Sequence, residues 1–339
     1  MMSKPLGILA GGNWIVDAVK IIDVWPQQDA LANITSEARG TGGSPFNVLV
    51  DLATMGAPFP LEALGLVGND GNGAFILDTC QRLGIQTHAL RVTEDAPTSY
   101  TDVMTVKSTG RRTFFHARGA NALLADGHFD FTRSSAKILH LGYLLLLDGM
   151  DQPCPDFGTV AARVLARAQA AGLKTSIDVV SEDSERFGRI VLPALKYTDY
   201  CIMNEFEAGR VTGHTIRTPD GLDRSALRAS MEVLLEAGVR ERVLVHFPEG
   251  GCALSRDHEW AQQGSVVLPE GYIKGAAGAG DAFTAGVLLG WHENKSIQEQ
   301  LQLGVCAAAA NLSEETCTGG LRSSTDCLAL GTQYGFRSL

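Results

Sequence analysis

Short runs of apolar residues alternate along the chain with longer segments whose apolar positions recur every three to four residues. The rhythm is clearest in the middle, where Lys137–Leu141 reads as a strand, Thr159–Ala171 as a helix closed by Gly172, and Leu173–Val180 as the next strand. It continues through a strand at Tyr200–Met203, an amphipathic helix at Asp223–Ala237 stopped by Gly238, and an apolar strand at Arg242–Phe247. Two further helices are predicted at Gly280–His292 and Ile297–Asn311. Strands separated by helices of this length build βαβ units. The expected fold is therefore α/β, a doubly wound and mainly parallel sheet with helices on both faces.

Two stretches, Ile15–Arg39 and Thr98–Arg118, break the rhythm, because polar and β-branched residues alternate there without a helical period. Thr98-Ser-Tyr-Thr-Asp-Val-Met-Thr-Val and Arg112-Thr-Phe-Phe-His flank Ser108-Thr-Gly110 and read as a hairpin. Periodicity leaves two placements open: a small second sheet over one end of the large one, or an extension of its edge. Residues 13–40 and 97–118 are the candidate lid of a single domain spanning 1–339.

Composition narrows the function classes. The 339 residues could make two average domains, but a 45% hydrophobic chain with 19% charged residues can also fill one large core. Thirty-eight acidic against 28 basic side chains leave a net charge of −10, which opposes binding to nucleic-acid phosphates. Seven scattered cysteines form no C-x-x-C pair, a usage that suits a reducing cytoplasm. One lysine before Pro5, and no run of 18 apolar residues, predict neither a signal peptide nor a membrane span. The eight histidines show no metal-binding spacing.

The densest chemical signal is Gly275-Ala-Ala-Gly-Ala-Gly-Asp-Ala-Phe-Thr-Ala-Gly286, a loop of small residues leading straight into an apolar helix. Glycines let a backbone approach a ligand closely, and the free N–H groups at a helix start attract an anion. Asp281 on its own could simply cap that helix. A cap alone does not require the small residues on both sides, so the segment reads as an anion site. No Walker-type G-x-x-x-x-G-K-[ST] is present, and no G-x-G-x-x-G with an acidic partner follows the first strand, which leaves a Rossmann dehydrogenase poorly supported.

Gly278-Ala-Gly-Asp281-Ala-Phe resembles the C-terminal signature of the PfkB (ribokinase-like) family of carbohydrate and nucleoside kinases. Gly42-Gly-Ser-Pro-Phe-Asn47, with Leu52-Ala-Thr-Met-Gly56 and Leu64-Gly-Leu-Val-Gly-Asn-Asp-Gly71, is similar to the N-terminal signature, and Asn204-Glu-Phe-Glu207 to the family's N-x-x-E motif. Arg118-Gly-Ala-Asn121 and Leu141-Gly142 fall where such kinases carry them. The resemblance implies an ATP- and Mg²⁺-dependent transfer of the γ-phosphoryl group to a hydroxyl of a small sugar or sugar acid. It makes Asp281 the general base and Gly278, Ala279 and Gly280 the anion hole. Asp17, Gly42, Gly43 and Asn47 become acceptor contacts, and Asn204 and Glu207 order Mg²⁺ through water. It also implies a homodimer paired through the lids.

Each assignment has a plainer counterpart. Asp17 could cap a loop, Asn47 could cap a helix beginning near Val48, and Asn204 with Glu207 has the spacing of a capping box. Arg118 could reach an acidic substrate or form a surface ion pair, Trp14 and Trp25 could line the lid or pack it, and Arg111-Arg112 reads as a solvated hairpin tip. Several positions depart from the family pattern. Gly275-Ala276-Ala277 replaces the usual Asp-Thr/Ser, which leaves activation by a monovalent cation open. His246-Phe-Pro-Glu-Gly-Gly251 replaces the T-x-G-x-x-G turn that cradles nucleotide phosphates, with Gly251 retained and His246 in place of the threonine. Gly142-Tyr143 stands where ribokinases proper carry a glutamate toward ribose, which disfavours ribose as acceptor. Two alternatives follow: a nucleoside kinase, since Gly12-Asn13 with Asp17 is similar to adenosine-kinase-like members, and a catalytically weak sugar-binding or regulatory protein.

Overall fold

The computed structural model describes residues 6–339, so the Lys4-Pro5 opening lies outside the described residues. The first half of the chain contributes strands β1 (Gly7–Gly12), β2 (Ile15–Ile22), β3 (Ile34–Gly42), β4 (Leu61–Gly68), β5 (Gln86–Thr93), β6 (Ser99–Val106), β7 (Arg112–Ala117) and β8 (Ala136–Leu144). The second half adds β9 (Lys174–Val179), β10 (Tyr200–Asn204), β11 (Arg242–Phe247), β12 (Gly250–Ser255) and β13 (Trp260–Gly264). Helices follow in chain order as α1 (Ser44–Thr54), α2 (Gly71–Arg82), α3 (Val160–Ala170), α4 (Phe187–Leu195), α5 (Glu205–Thr212), α6 (Arg224–Glu236), α7 (Ala279–His292), α8 (Ile297–Asn311) and α9 (Ser324–Tyr334).

Nine strands form one sheet in the order β13-β12-β11-β10-β9-β8-β1-β4-β5. Every pairing from β11 to β5 is parallel, and the hairpin through Pro248-Glu249 adds β12 and β13 antiparallel at one edge. Strands such as β1 and β4 are buried along their whole length because helices cover both faces. One core cluster lies under α1, α7 and α8, and a second under α3, α4 and α6. No helix among the described residues is long and apolar enough to cross a membrane.

The segments that broke the helical rhythm form a separate four-stranded sheet, β3-β2-β6-β7. Of the two placements left open, the structure takes the second sheet. Trp14 is core: it is fully buried, its indole N–H donates to the Leu64 carbonyl at 2.8 Å, and the Asn121 amide brackets its backbone at 3.1 and 3.2 Å. Trp25 stacks on Phe115 at the surface.

The parallel strands bring Gly12, Gly142-Tyr143, Asp178, Asn204 and His246 to one edge of the large sheet. That carboxyl edge is where open α/β sheets bind ligands.

Candidate active site

Asp281 lies in the first turn of α7 but does not cap it. The N-cap is Gly278, and the aspartate turns away from its own helix. Its Oδ2 accepts from Asn47 Nδ2 at 2.7 Å, and the Tyr143 hydroxyl reaches Oδ1 and Oδ2 at 2.8 and 2.9 Å. With 5% of its surface exposed, the carboxyl is pushed up to about 7 by burial and by the nearby charge of Asp178, against the pull of the Asn47 and Tyr143 bonds. A carboxylate that titrates near neutrality is poised for proton transfer.

Asn47 reaches Asp281 because α1 starts earlier than expected. The helix begins at Ser44 behind Gly43, with Pro45 fitting the first turn, so Asn47 is a helical residue and not the cap predicted near Val48. Its other amide atom, Oδ1, is buried without a partner among the described residues. Asp51, one turn further on, is also buried with both carboxylate oxygens unpartnered, and burial and the charge of Asp281 push it well above the ordinary carboxylate range.

The loop before α7 is clamped from two sides. The Asn311 amide donates to the Ala277 carbonyl at 2.7 Å, and Gly278 adopts φ 76 with its Cα pressed against Cys317. A Cβ on Gly278 would stand 2.1 Å from the Cys317 carbonyl oxygen, so only glycine fits. The amides at the start of a helix have no intrahelical acceptor.

Asp17 sits mid-strand in β2, so it caps no loop. The Cys317 thiol donates to its Oδ2 at 3.4 Å, and burial pushes the carboxyl up to about 6 against the pull of Cys317 and Thr101. Gly42 makes this possible, since a Cβ there would lie 2.4 Å from Asp17 Oδ1. Thr101 Oγ1 is in turn 3.0 Å from His116 Nδ1, so Asp17, Thr101 and His116 line one face of the small sheet.

Asn204 and Glu207 make both bonds of a capping box, at 2.8 and 2.9 Å, as their spacing suggested. Ser181 links the pair, accepting from Asn204 Nδ2 and donating to Glu207 Oε1. Burial, with the charges of Asp178 and Asp281, pushes Glu207 up to about 8.

His246 lies in β11, within the strand expected at Arg242–Phe247. It pairs in register with Gly251, packs on Phe283, and stands 3.0 Å from where a Cβ on Gly280 would be. Burial lowers its pKa to about 4, leaving a neutral imidazole beside the first turn of α7.

Arg118 pairs with Asp148 at 2.8 Å. Arg112 departs from the solvated reading, since its Nη2 lies 2.7 Å from where a Cβ on Gly275 would stand, beside Glu314 and Glu315. The small sheet thus reaches across to the loop before Gly278.

Asp178 escaped sequence reasoning. Ser44 Oγ donates to its Oδ2 at 2.5 Å and contacts His140 Nε2 at 2.8 Å, while its Oδ1 is buried without a partner among the described residues. The signal was an acidic residue at the carboxyl end of a buried strand.

The sequence profile of the pfkB family carbohydrate kinases matches residues 13–323. A ribokinase from Arabidopsis thaliana is 25% identical over 316 residues, covering 91% of this chain and 76% of the relative. The solved structure of Arabidopsis thaliana ribokinase complexed with ribose and ATP superposes with a TM-score of 0.76 at 21% identity, covering 96% of this chain and 98% of that one. A nucleoside kinase of Methanocaldococcus jannaschii superposes with a TM-score of 0.75 at 18% identity, covering 97% and 99%. With its glycine-rich loop before α7, its buried carboxylate and its ribokinase-like fold, the chain belongs to the pfkB family of carbohydrate kinases, phosphotransferases whose acceptor is a hydroxyl group.

Proposed function

We propose that the protein is an ATP- and Mg²⁺-dependent kinase of a small sugar or sugar acid. The observation that carries this reading is Asp281, buried at the start of α7 beside the Gly278 loop and titrating near neutrality. Asp281 takes the proton of the acceptor hydroxyl, and the amides of Gly278, Ala279 and Gly280 hold the transferring phosphoryl group. Asp17 accepts from acceptor hydroxyls, Asn47 Oδ1 is free to accept another, and Gly42 and Gly43 let the acceptor lie close to the backbone. His246 and Gly251 form the floor on the nucleotide side.

Mg²⁺ fits the oxygen donors here, because Asp178 has a buried unpartnered oxygen and Glu207 lies within reach of its charge. No three-ligand cluster exists among the described residues, which favours holding the ion through water at Asn204 and Glu207. When bound, it supplies positive charge against the phosphate oxygens. The small sheet, formed by residues 13–40 and 97–118 of a single domain, acts as the lid over the site. Its outer apolar residues Val24, Trp25, Leu31 and Phe115 are exposed and form the homodimer contact. Trp25→Glu is expected to shift sedimentation from dimer to monomer, and an unchanged coefficient would remove that assignment.

The function is tested by ADP release from Mg·ATP across pentoses, hexoses, sugar acids, sugar phosphates and nucleosides. Turnover on a sugar supports this reading, and turnover on a nucleoside alone makes the protein a nucleoside kinase. The imidazole of His246 beneath the anion loop favours one rival from another class, a non-catalytic sugar binder. Calorimetry showing sugar binding without Mg·ATP binding would select it. On the identified acceptor, Asp17→Asn is expected to raise KM about 10–100-fold with a smaller change in kcat, as loss of a charged hydrogen bond implies. An unchanged KM would exclude Asp17 as an acceptor contact.

A further inference from the structure

Tyr143 is fixed from behind. Its backbone N–H donates to Asn13 Oδ1 at 2.5 Å, and the buried Asn13 amide donates onward to the Leu146 carbonyl at 3.0 Å. From this mount the phenol bridges both oxygens of Asp281, while Asn47 holds Oδ2 from the other side. The carboxylate thus meets protein donors at each oxygen.

On the kinase reading, this arrangement answers a chemical problem. A base able to deprotonate an alcohol beside a γ-phosphoryl group can deprotonate water there too. Asp281 would take a proton from water, the water oxygen would bond to phosphorus, and the bond from phosphorus to the ADP oxygen would break, releasing phosphate and ADP. Water fits wherever a hydroxyl fits, so size cannot exclude it.

We propose that Tyr143 is the specificity-determining residue that reserves Asp281 for an alcohol: its hydroxyl occupies the acceptor's place on the base until an acceptor anchored by the rest of the site displaces it. One water molecule lacks the further hydroxyls needed to do so. The phenol does not become an acceptor itself, because burial and the charges of Asp281 and Asp178, with Cys317 alongside, keep it neutral and poorly nucleophilic.

The test is phosphate release from Mg·ATP without acceptor, measured for wild type, Tyr143→Phe, Tyr143→Leu, Asp281→Asn and the Tyr143→Phe/Asp281→Asn double variant, with thermal melts to confirm folding. Uncapping is expected to raise hydrolysis at least about tenfold in Tyr143→Phe, and the double variant is expected to lose the gain. No rise in either Tyr143 variant, a gain that persists in the Tyr143→Phe/Asp281→Asn double variant, or covalent phosphate on Tyr143 by intact mass would overturn the proposal. Failure of the kinase reading looks different: wild type would then turn over no acceptor in the panel.

Discussion

Asp281→Asn is expected to lower turnover about 10²–10⁴-fold while the protein stays folded. The carboxylate is the one group in the site that combines a neutral-range pKa with a position beside the helix-start amides. Only its ionised form can take a proton. Wild-type kcat/KM should therefore climb about tenfold per pH unit below 7 and level off above it. The stability effect has the opposite sign. The folded pKa of Asp281 is raised from 3.8 to about 7, so its contribution is fully present below the unfolded value and is lost as pH rises through 7. Asparagine carries no such penalty, and the variant should melt no lower than wild type at pH 8. Retained turnover in the variant, or a pH profile flat between 5 and 8, would remove Asp281 from the base role.

The second large effect is expected at Gly278→Ala, which should reduce kcat/KM by about 10²-fold or more, the scale seen when preorganised donors are lost from an anion hole. Alanine at φ 76 costs about 1–2 kcal/mol in backbone strain alone. Its methyl would also overlap the Cys317 carbonyl at 2.1 Å, forcing the loop away from the position that aims the amides. Gly271→Ala separates the two contributions. That residue has φ 77 with nothing within 4 Å of the added carbon, so it bears the strain without the overlap. Comparable losses in both variants would show that backbone strain, and not loop placement, governs activity.

Local patterning made much of the architecture legible before any coordinates. The helix read as Ile297–Asn311 matches α8 residue for residue, and the strand at Arg242–Phe247 matches β11. The start of α1 was read late because Gly43 and Pro45 look like a turn, although Pro fits the first helical turn well. The loop before α7 stood out through its consecutive small residues. Asp178 did not, since one acidic residue near a strand end acquires meaning only when register sets it beside Ser44, His140 and the charge of Asp281. Tyr143 was visible only as a departure from a family pattern, because its contact with Asp281 spans 138 positions of sequence. Arg112 was misread for the same reason. The hairpin that carries it looks exposed until the small sheet is seen to reach the Gly275 loop.

The division of labour between the two sheets bears on how such a protein can diversify. The groups proposed to move phosphate and protons, Asp281, the Gly278 loop and Glu207, stand on the carboxyl edge of the large sheet, whereas Asp17, Thr101 and His116 are carried by the small one. On the proposed reading, substitutions along β2 and β6 redraw acceptor preference while the transfer groups stay on the large sheet. New chemistries of recognition need not be reinvented together with catalysis, and a lineage can sample acceptors one strand at a time.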